Sequence, residues 1–468
     1  MLPHEARLRA GTATADVTPD DPVVMSGYGA RDGRSTGVND PLFASALVLD
    51  DGHTTVGVAS VDVLNVSREL TRAVTDSLAA EGVDLETVVL AATHTHAGPY
   101  VPARALDVSP PLRATEDVSE VVASLERGIV NIFDRAYERV EPARIRVGHA
   151  SERETLVNRR AGGGVSGNVR MPAGPIDPRV TALLVETESG AETVVYNVAC
   201  HPVCTTAEET LLSADWPSAA RARIEAERDG ATVLFCNGAA GDINPAGLDE
   251  HRSGSAVYDC MDRVGSRIGN AVCRALEDAE SGDASTLRRA PICVDETDLR
   301  LPVKRTPALE TIRARIDDLD AQLTTLERAG DEVGHENVWR DRQYAEELLA
   351  IARWDARFLP AKLTFVEIGP IGLLGMPGEM HARHGLRLRE RARVPSLLPV
   401  GYANGYVGYV PTLDDLENGG YEVRTMKIAP DAIVEFRDCA LELVGGLEPH
   451  RPGTVPNSER QNSYRDRA

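Results

Sequence analysis

Residues 87–98 read Thr87-Val-Val-Leu-Ala-Ala-Thr-His-Thr-His-Ala-Gly98. A short apolar run rich in β-branched residues is the signature of a strand covered on both faces. It gives way at once to two histidines, and Gly98-Pro99 ends the strand sharply. His94 and His96, at i and i+2, can therefore work together from one strand end, facing a cleft rather than a core. Neutral imidazole is the commonest ligand of a catalytic metal. A hydrogen-bonded pair of structural histidines is the alternative reading of the same two residues.

Working outward, residues 11–150 alternate short apolar runs with helical patterns. Strands are expected over 46–49, 56–61 and 88–92, with an amphipathic helix over 67–81 capped by Ser67. Beyond 150, strands are expected over 180–186, 194–199 and 233–237, then a helix over 255–279. Residues 161–167 form a Gly-rich run without the GxGxxG register or a Walker lysine, so a mobile loop over the site is expected rather than a phosphate cradle. Segments 310–329 and 337–352 read as two charged helices joined around Gly330, a protruding hairpin within 305–356. Strands over 363–368 and 371–375, a helix after Gly378 and an apolar segment over 432–444 complete the pattern. The fold class is α/β, with layered mixed sheets flanked by helices. One catalytic unit is expected over 1–449, and 450–468, without apolar periodicity, as a disordered tail.

Composition narrows the function. The 468 residues carry 72 acidic and 50 basic side chains, a formal net charge of -22, and Lys304, Lys362 and Lys427 are the only lysines. Such a surface repels nucleic acid and anionic membranes, so neither is expected as a partner. It also keeps hydrated charge in brine, which points to a salt-adapted or high-GC source. Seven scattered cysteines, Cys200, Cys204, Cys236, Cys260, Cys273, Cys293 and Cys439, include no CxxC pair, which favours reduced thiols over a disulfide framework. With no apolar leader and no run of membrane-spanning length, a cytoplasmic protein is expected.

Three further places repeat the arrangement of an apolar strand ending in a polar or glycine-bearing turn. They are Asn197-Val-Ala-Cys-His201-Pro202, Asn237-Gly-Ala-Ala-Gly-Asp242-Ile-Asn244-Pro245 and Gly375-Met-Pro-Gly-Glu379. Ligands of open α/β layers bind where such loops converge. A histidine pair, a third histidine and two carboxylates at four strand ends suggest one metal centre.

At this point the residues match a known family. The chain resembles the catalytic domain of the neutral/alkaline ceramidases, zinc amidohydrolases, from about Gly11 to Gly446. The matching blocks are Ser26-Gly-Tyr-Gly29, Ser60-Val-Asp62, Thr93-His-Thr-His-Ala-Gly-Pro99, Asn158-Arg159, Cys200-His-Pro202, Ser213-Ala-Asp215, Gly241-Asp-Ile-Asn-Pro245, Pro377-Gly-Glu379, Asn404-Gly-Tyr-Val-Gly-Tyr409 and Tyr421-Glu422. The resemblance implies zinc held by His94, His201, Glu379 and Tyr409. It places His96 beside the metal-bound water, Arg159 and Tyr421 at the substrate carbonyl and its oxyanion, and Asp242 as proton acceptor or water orienter. Thiolate ligation by Cys200 or Cys204 is not expected, because Cys200 should point to the opposite strand face from His201. Asp62 should hydrogen-bond a ligand histidine or nearby backbone, and His381 and His384 read as surface or lining residues.

Two departures stand out. Ceramidases of known activity carry serine where this chain has Asn244, and an amide cannot act as a nucleophile, so attack by a metal-activated water is implied. The resemblance also implies an immunoglobulin-like domain after the catalytic one; the sequence is read as ending before it, and the pocket is then not expected to be a deep lipid slot. The expected function is a zinc-dependent hydrolase of a linear, ceramide-like N-acyl amide, acting on a small-molecule or lipid-amide substrate. Alternatives are a zinc hydrolase of a polar ester, lactone or carbohydrate-derived substrate, and a non-catalytic metal-binding scaffold.

Overall fold

The computed structural model describes residues 7–31, 33–103, 117–160, 174–248, 253–281, 286–354 and 356–445. The Gly-rich run at 161–167, the tail at 450–468 and the expected domain end at 449 lie outside the described residues. Along the chain, β1 (Arg9–Asp16), β2 (Gly37–Val38), β3 (Phe43–Asp50) and β4 (Thr55–Val61) precede α1 (Arg68–Glu81), and β5 (Thr87–Ala92) precedes α2 (Ser119–Glu138). Next come β6 (Glu141–Ser151), β7 (Leu156–Asn158), β8 (Arg179–Thr187), β9 (Glu192–Val198), β10 (Leu211–Leu212) and α3 (Trp216–Glu227), then β11 (Thr232–Asn237), β12 (Ile243–Pro245) and α4 (Ser255–Ser281). β13 (Ile292–Pro302) leads into the helical hairpin α5 (Leu309–Ala329) and α6 (Glu332–Arg353), followed by β14 (Phe358–Ile368), β15 (Ile371–Gly375), β16 (Glu379–Met380) and α7 (Ala382–Arg391). β17 (Ser396–Val400), β18 (Tyr409–Val410), α8 (Leu413–Asn418), α9 (Tyr421–Thr425) and α10 (Pro430–Gly445) close the described chain.

Two mixed sheets form the body. The larger has the order β11-β9-β8-β6-β1-β3-β4-β5, and the smaller the order β13-β14-β15-β17. They lie face to face: Leu47, Val58, Val89, Leu183 and Val195 of the first pack with Val366, Leu373 and Leu398 of the second. The outer face of the large sheet is covered in halves. Leu70 and Val74 of α1 and Ile129 and Phe133 of α2 cover one half, and Trp216 and Ile224 of α3 with Val264 and Ile268 of α4 cover the other. Ile433 and Phe436 of α10 join the core beside the smaller sheet. The expected layered α/β architecture is thus the observed one, and the double burial explains why β5 reads as an unbroken apolar run.

Local chemistry fixes most boundaries. Ser67 caps α1 by accepting from the Leu70 amide, as expected, and Gly82 closes it at φ 83°. Gly330 ends α5 at φ 70°. α6 begins earlier than expected because Asp331 accepts from the Gly334 amide and starts the helix at Glu332. β13 was not expected at all. It is an edge strand whose exposed positions carry Asp295, Glu296, Asp298 and Arg300, and that charge hides its apolar alternation.

The cysteines are thiols, Cys260 donating to Cys204 across 2.8 Å. Among the described residues no helix is long and apolar enough to cross a membrane.

Candidate active site

Three parallel or neighbouring strand ends are sewn together by one side chain. Asn237, the last residue of β11, donates to the carbonyls of Thr93 and Cys200, each at 3.1 Å, and accepts from the Cys200 amide at 3.3 Å. Segments leaving β5, β9 and β11 therefore arrive at one place. Asn404 makes the matching tie from the smaller sheet's side, accepting from the Leu90 amide and donating to the Val88 carbonyl, both at 2.8 Å. Gly241 lies so close to Glu379 that a Cβ there would stand 2.5 Å from the Glu379 carbonyl oxygen, so no larger residue fits.

His94 leaves β5 in the left-handed region, φ 73°, and its Nδ1 donates to the Leu64 carbonyl at 2.7 Å. His201 donates from Nδ1 to the Ala240 carbonyl at 2.6 Å. A carbonyl can only accept, so each ring donates from Nδ1, and its Nε2 is the atom turned toward the site. Both Nε2 atoms face Glu379 Oε2, at 3.4 Å from His94 and 3.1 Å from His201. Two imidazole nitrogens and a carboxylate oxygen buried this close together call for a positive charge among them. Burial pushes the His201 pKa down to about 4, so at neutral pH that charge is not a proton on its ring. Two imidazoles and a carboxylate form a donor set that suits zinc.

His96 brings a third ring. The ligand nitrogens of His94, His96 and His201 all lie within 4.8 Å of one another, and His96 Nδ1 is buried without a hydrogen-bond partner. Burial, with His94 and His201 beside it, drives the His96 pKa well below 6.5. The Tyr28 ring packs edge-on against it at 5.0 Å.

Glu379 and Tyr409 are Cα partners in the parallel β16–β18 ladder, which sends their side chains out together. The second Glu379 oxygen is taken by Tyr406, whose hydroxyl donates to Oε1. Tyr409 instead accepts from Arg159 Nη2 at 3.0 Å. Arg159 is held on every side, donating to Glu422 Oε1 at 2.8 Å, the Gly241 carbonyl at 2.8 Å and Asn244 Oδ1 at 3.2 Å. Burial works against its charge, and Tyr409 and Glu422 outweigh that and hold it protonated. Tyr421 sits beside this group, its ring 5.6 Å from Tyr409 and 6.0 Å from the Arg159 guanidinium.

Asp242, expected as proton acceptor or water orienter, is buried at the turn after β11, and burial raises its pKa. Its Oδ2 accepts from Asn158 Nδ2 and its Oδ1 from the Ala382 amide, both at 2.7 Å, so both oxygens are engaged in joining β7 to the start of α7. Asp62 bonds the Phe43 amide and Arg221, each at 2.9 Å, rather than a histidine. His381 and His384, expected as surface or lining residues, are both buried: His381 pairs with Asp415 at 2.7 Å, and His384, which lines a small cavity with Met376 and Phe436, donates to the Pro411 carbonyl at 3.1 Å. Tyr402, stacked on His94, and Tyr406 were missed by sequence reasoning. Tyr406 was legible only as the first tyrosine of the Asn404–Tyr409 block.

A layered α/β fold whose strand ends gather three histidines, a buried carboxylate and a clamped arginine presents a group of side chains that could hold a metal ion. The chain belongs to the neutral/alkaline non-lysosomal ceramidase family, whose N-terminal profile matches residues 8–306. The neutral ceramidase of Mycobacterium tuberculosis is 24% identical over 532 aligned residues, covering 98% of this chain and 80% of that protein. Neutral ceramidase A of Dictyostelium discoideum is 31% identical over 108 residues, 20% of this chain and 15% of that one. The crystal structure of the neutral ceramidase of Pseudomonas aeruginosa superposes with a TM-score of 0.73 at 19% identity, over 97% of this chain and 77% of that chain.

Proposed function

We propose that the protein is a zinc-dependent amidohydrolase that cleaves the N-acyl bond of ceramide or a closely related lipid amide. The observation that carries this reading is the convergence of His94 Nε2 and His201 Nε2 on Glu379 Oε2. Family membership and the names of the relatives supply the bond type. His94, His201 and Glu379 would hold the ion, with Tyr409 beside them. An ion held there would supply Lewis acidity toward the substrate carbonyl and toward a water, whose pKa zinc can bring to about 7.

The remaining steps belong to side chains. His96, kept neutral by burial, can take a proton from the attacking water and return it to the leaving amine. Arg159 is locked in place by Glu422, Gly241 and Asn244, and with the Tyr421 hydroxyl it offers preorganised donors to the developing oxyanion. Asn244 steers Arg159 and supplies no nucleophile. Asp242 acts as a strut that keeps Asn158 and α7 in register. A cytoplasmic, salt-adapted setting and a soluble-phase or dispersed lipid substrate, without nucleic acid, fit the acidic composition.

The test is turnover of an N-acylsphingosine beside a panel of polar esters and lactones, with Glu379→Ala as control. Release of fatty acid and free amine that the control lacks supports the reading. Cleavage of panel esters with no amide hydrolysis would replace it with the polar-substrate alternative.

A further inference from the structure

The helical hairpin meets the site in strict register. Asp341, Tyr344 and Glu347 stand three apart along α6 and so form one stripe of its surface. Tyr421, Arg424 and Lys427 stand three apart along α9 and the segment that follows. Arg424 donates to Asp341 Oδ1 at 2.6 Å and Lys427 to Glu347 Oε2 at 2.7 Å. Between these ion pairs the Tyr344 ring lies 6.3 Å from the Tyr421 ring and 3.7 Å from the Arg424 guanidinium carbon. Lys304, at the foot of the hairpin, adds a bond to the Arg424 carbonyl at 2.7 Å.

α9 depends on its neighbours: it has five residues and no side-chain cap at its N-terminus, and a single turn of helix does not hold its own conformation in water. Glu422 ties one face of it to Arg159 and Arg160, and the hairpin stripe holds the face that carries Arg424. Its first residue is Tyr421, packed against Tyr409 and Arg159. Whatever fixes α9 therefore fixes where the Tyr421 hydroxyl stands.

We infer that the hairpin is a positioning element for the reaction: Tyr344, bracketed by Asp341 and Glu347, sets the Tyr421 hydroxyl against the substrate carbonyl. This rests on the reading of Tyr421 as an oxyanion donor. Tyr344 is not one of the residues read as touching the substrate, so its effect runs through Tyr421, directly and through Arg424 on the same short helix.

Steady-state kinetics on an N-acylsphingosine should show Tyr344→Ala losing roughly 10- to 100-fold in kcat, the scale of a donor misplaced by about 1 Å, with little change in KM and unchanged zinc content. In a Tyr421→Phe background the same substitution should cost nothing further. Lys427→Glu should slow the enzyme, and the Glu347→Lys/Lys427→Glu exchange should restore much of the loss. A wild-type kcat in Tyr344→Ala, or losses that multiply with Tyr421→Phe, would overturn the inference. A readout independent of turnover is amide hydrogen exchange, which Tyr344→Ala should accelerate over residues 419–427 while leaving 87–98 protected. Should the wild-type protein hydrolyse no N-acyl amide, the functional reading fails and exchange alone decides: unaltered protection over 419–427 overturns the hairpin's role.

Discussion

His94 and Tyr402 stack face to face, ring centroids 4.0 Å apart and planes 20° from parallel, and both have left-handed backbones, at φ 73° and 57°. Each such non-glycine residue costs on the order of 1–2 kcal/mol, a cost that persists only where the surroundings over-determine it. Here the left-handed turn swings the imidazole out of the β5 direction, and Tyr402 backs it with a rigid wall. Tyr402 also buries a hydroxyl that has no hydrogen-bond partner. Tyr402→Phe should therefore be neutral or slightly stabilising. Tyr402→Ala should cost about 3–5 kcal/mol, as for other buried aromatics, and weaken metal binding. Urea unfolding with metal titration checks both, and a destabilised Tyr402→Phe would show that the hydroxyl has a partner.

Purified protein should carry about one zinc per chain, and His94→Ala or Glu379→Ala should lose both metal and activity, because each leaves an incomplete set. Elemental analysis decides this. Full occupancy in a His94→Ala/Glu379→Ala double variant would sink the assignment.

Asn244→Ala should lose roughly 10- to 100-fold in rate, the scale of one supporting hydrogen bond at a metal site, because it frees one side of the Arg159 clamp. Arg159→Ala or Tyr421→Phe should lose on the order of 100- to 1000-fold in kcat, as removal of an oxyanion donor does. Asn244→Ser should leave the mechanism unchanged. Rapid-quench kinetics would expose the opposite case, an acyl-enzyme that accumulates in Asn244→Ser alone.

Acid should unfold the protein partly through His384, a buried ring whose pKa burial pushes down to about 4. Between an unfolded pKa of about 6.5 and that value, the unfolded chain binds one more proton than the folded one, so stability falls as pH falls. At 1.36 kcal/mol per pKa unit the window contributes on the order of 3 kcal/mol. Denaturation midpoints from pH 7 to pH 4 should decline less steeply in His384→Gln. An identical slope would place the acid sensitivity elsewhere.

The net charge of -22 predicts that thermal midpoints rise along a potassium chloride series, since unscreened carboxylates repel one another at low ionic strength. A flat or falling midpoint would contradict salt adaptation.

Much of the body was legible because its strands are doubly buried and its helix ends are chemically marked. The apolar run at 87–92 and the Ser67 cap needed no tertiary information. β13 was illegible because exposed Asp295, Glu296, Asp298 and Arg300 interrupt its apolar alternation. His94, His201 and Glu379 could be picked as strand-end residues, and the family resemblance supplied their partners. The direction of a side chain could not be read. Asp242 occupies the expected turn, yet its carboxylate faces Asn158 and the Ala382 amide, and His381 and His384 look polar in sequence but lie buried. Such orientations depend on contacts between segments far apart in the chain.

The single-residue tie made by Asn237 has a kinetic meaning as well. His201 and Glu379 are separated by 178 positions, and the bonds from Asn237 to Thr93 and Cys200 exist only once β5, β9 and β11 are all in place. Contacts of such long sequence separation form late, after loop closure has been overcome. During refolding the chain should regain its helical signal before it can bind zinc tightly, and tight zinc uptake would then mark the moment when the two sheets have closed on each other.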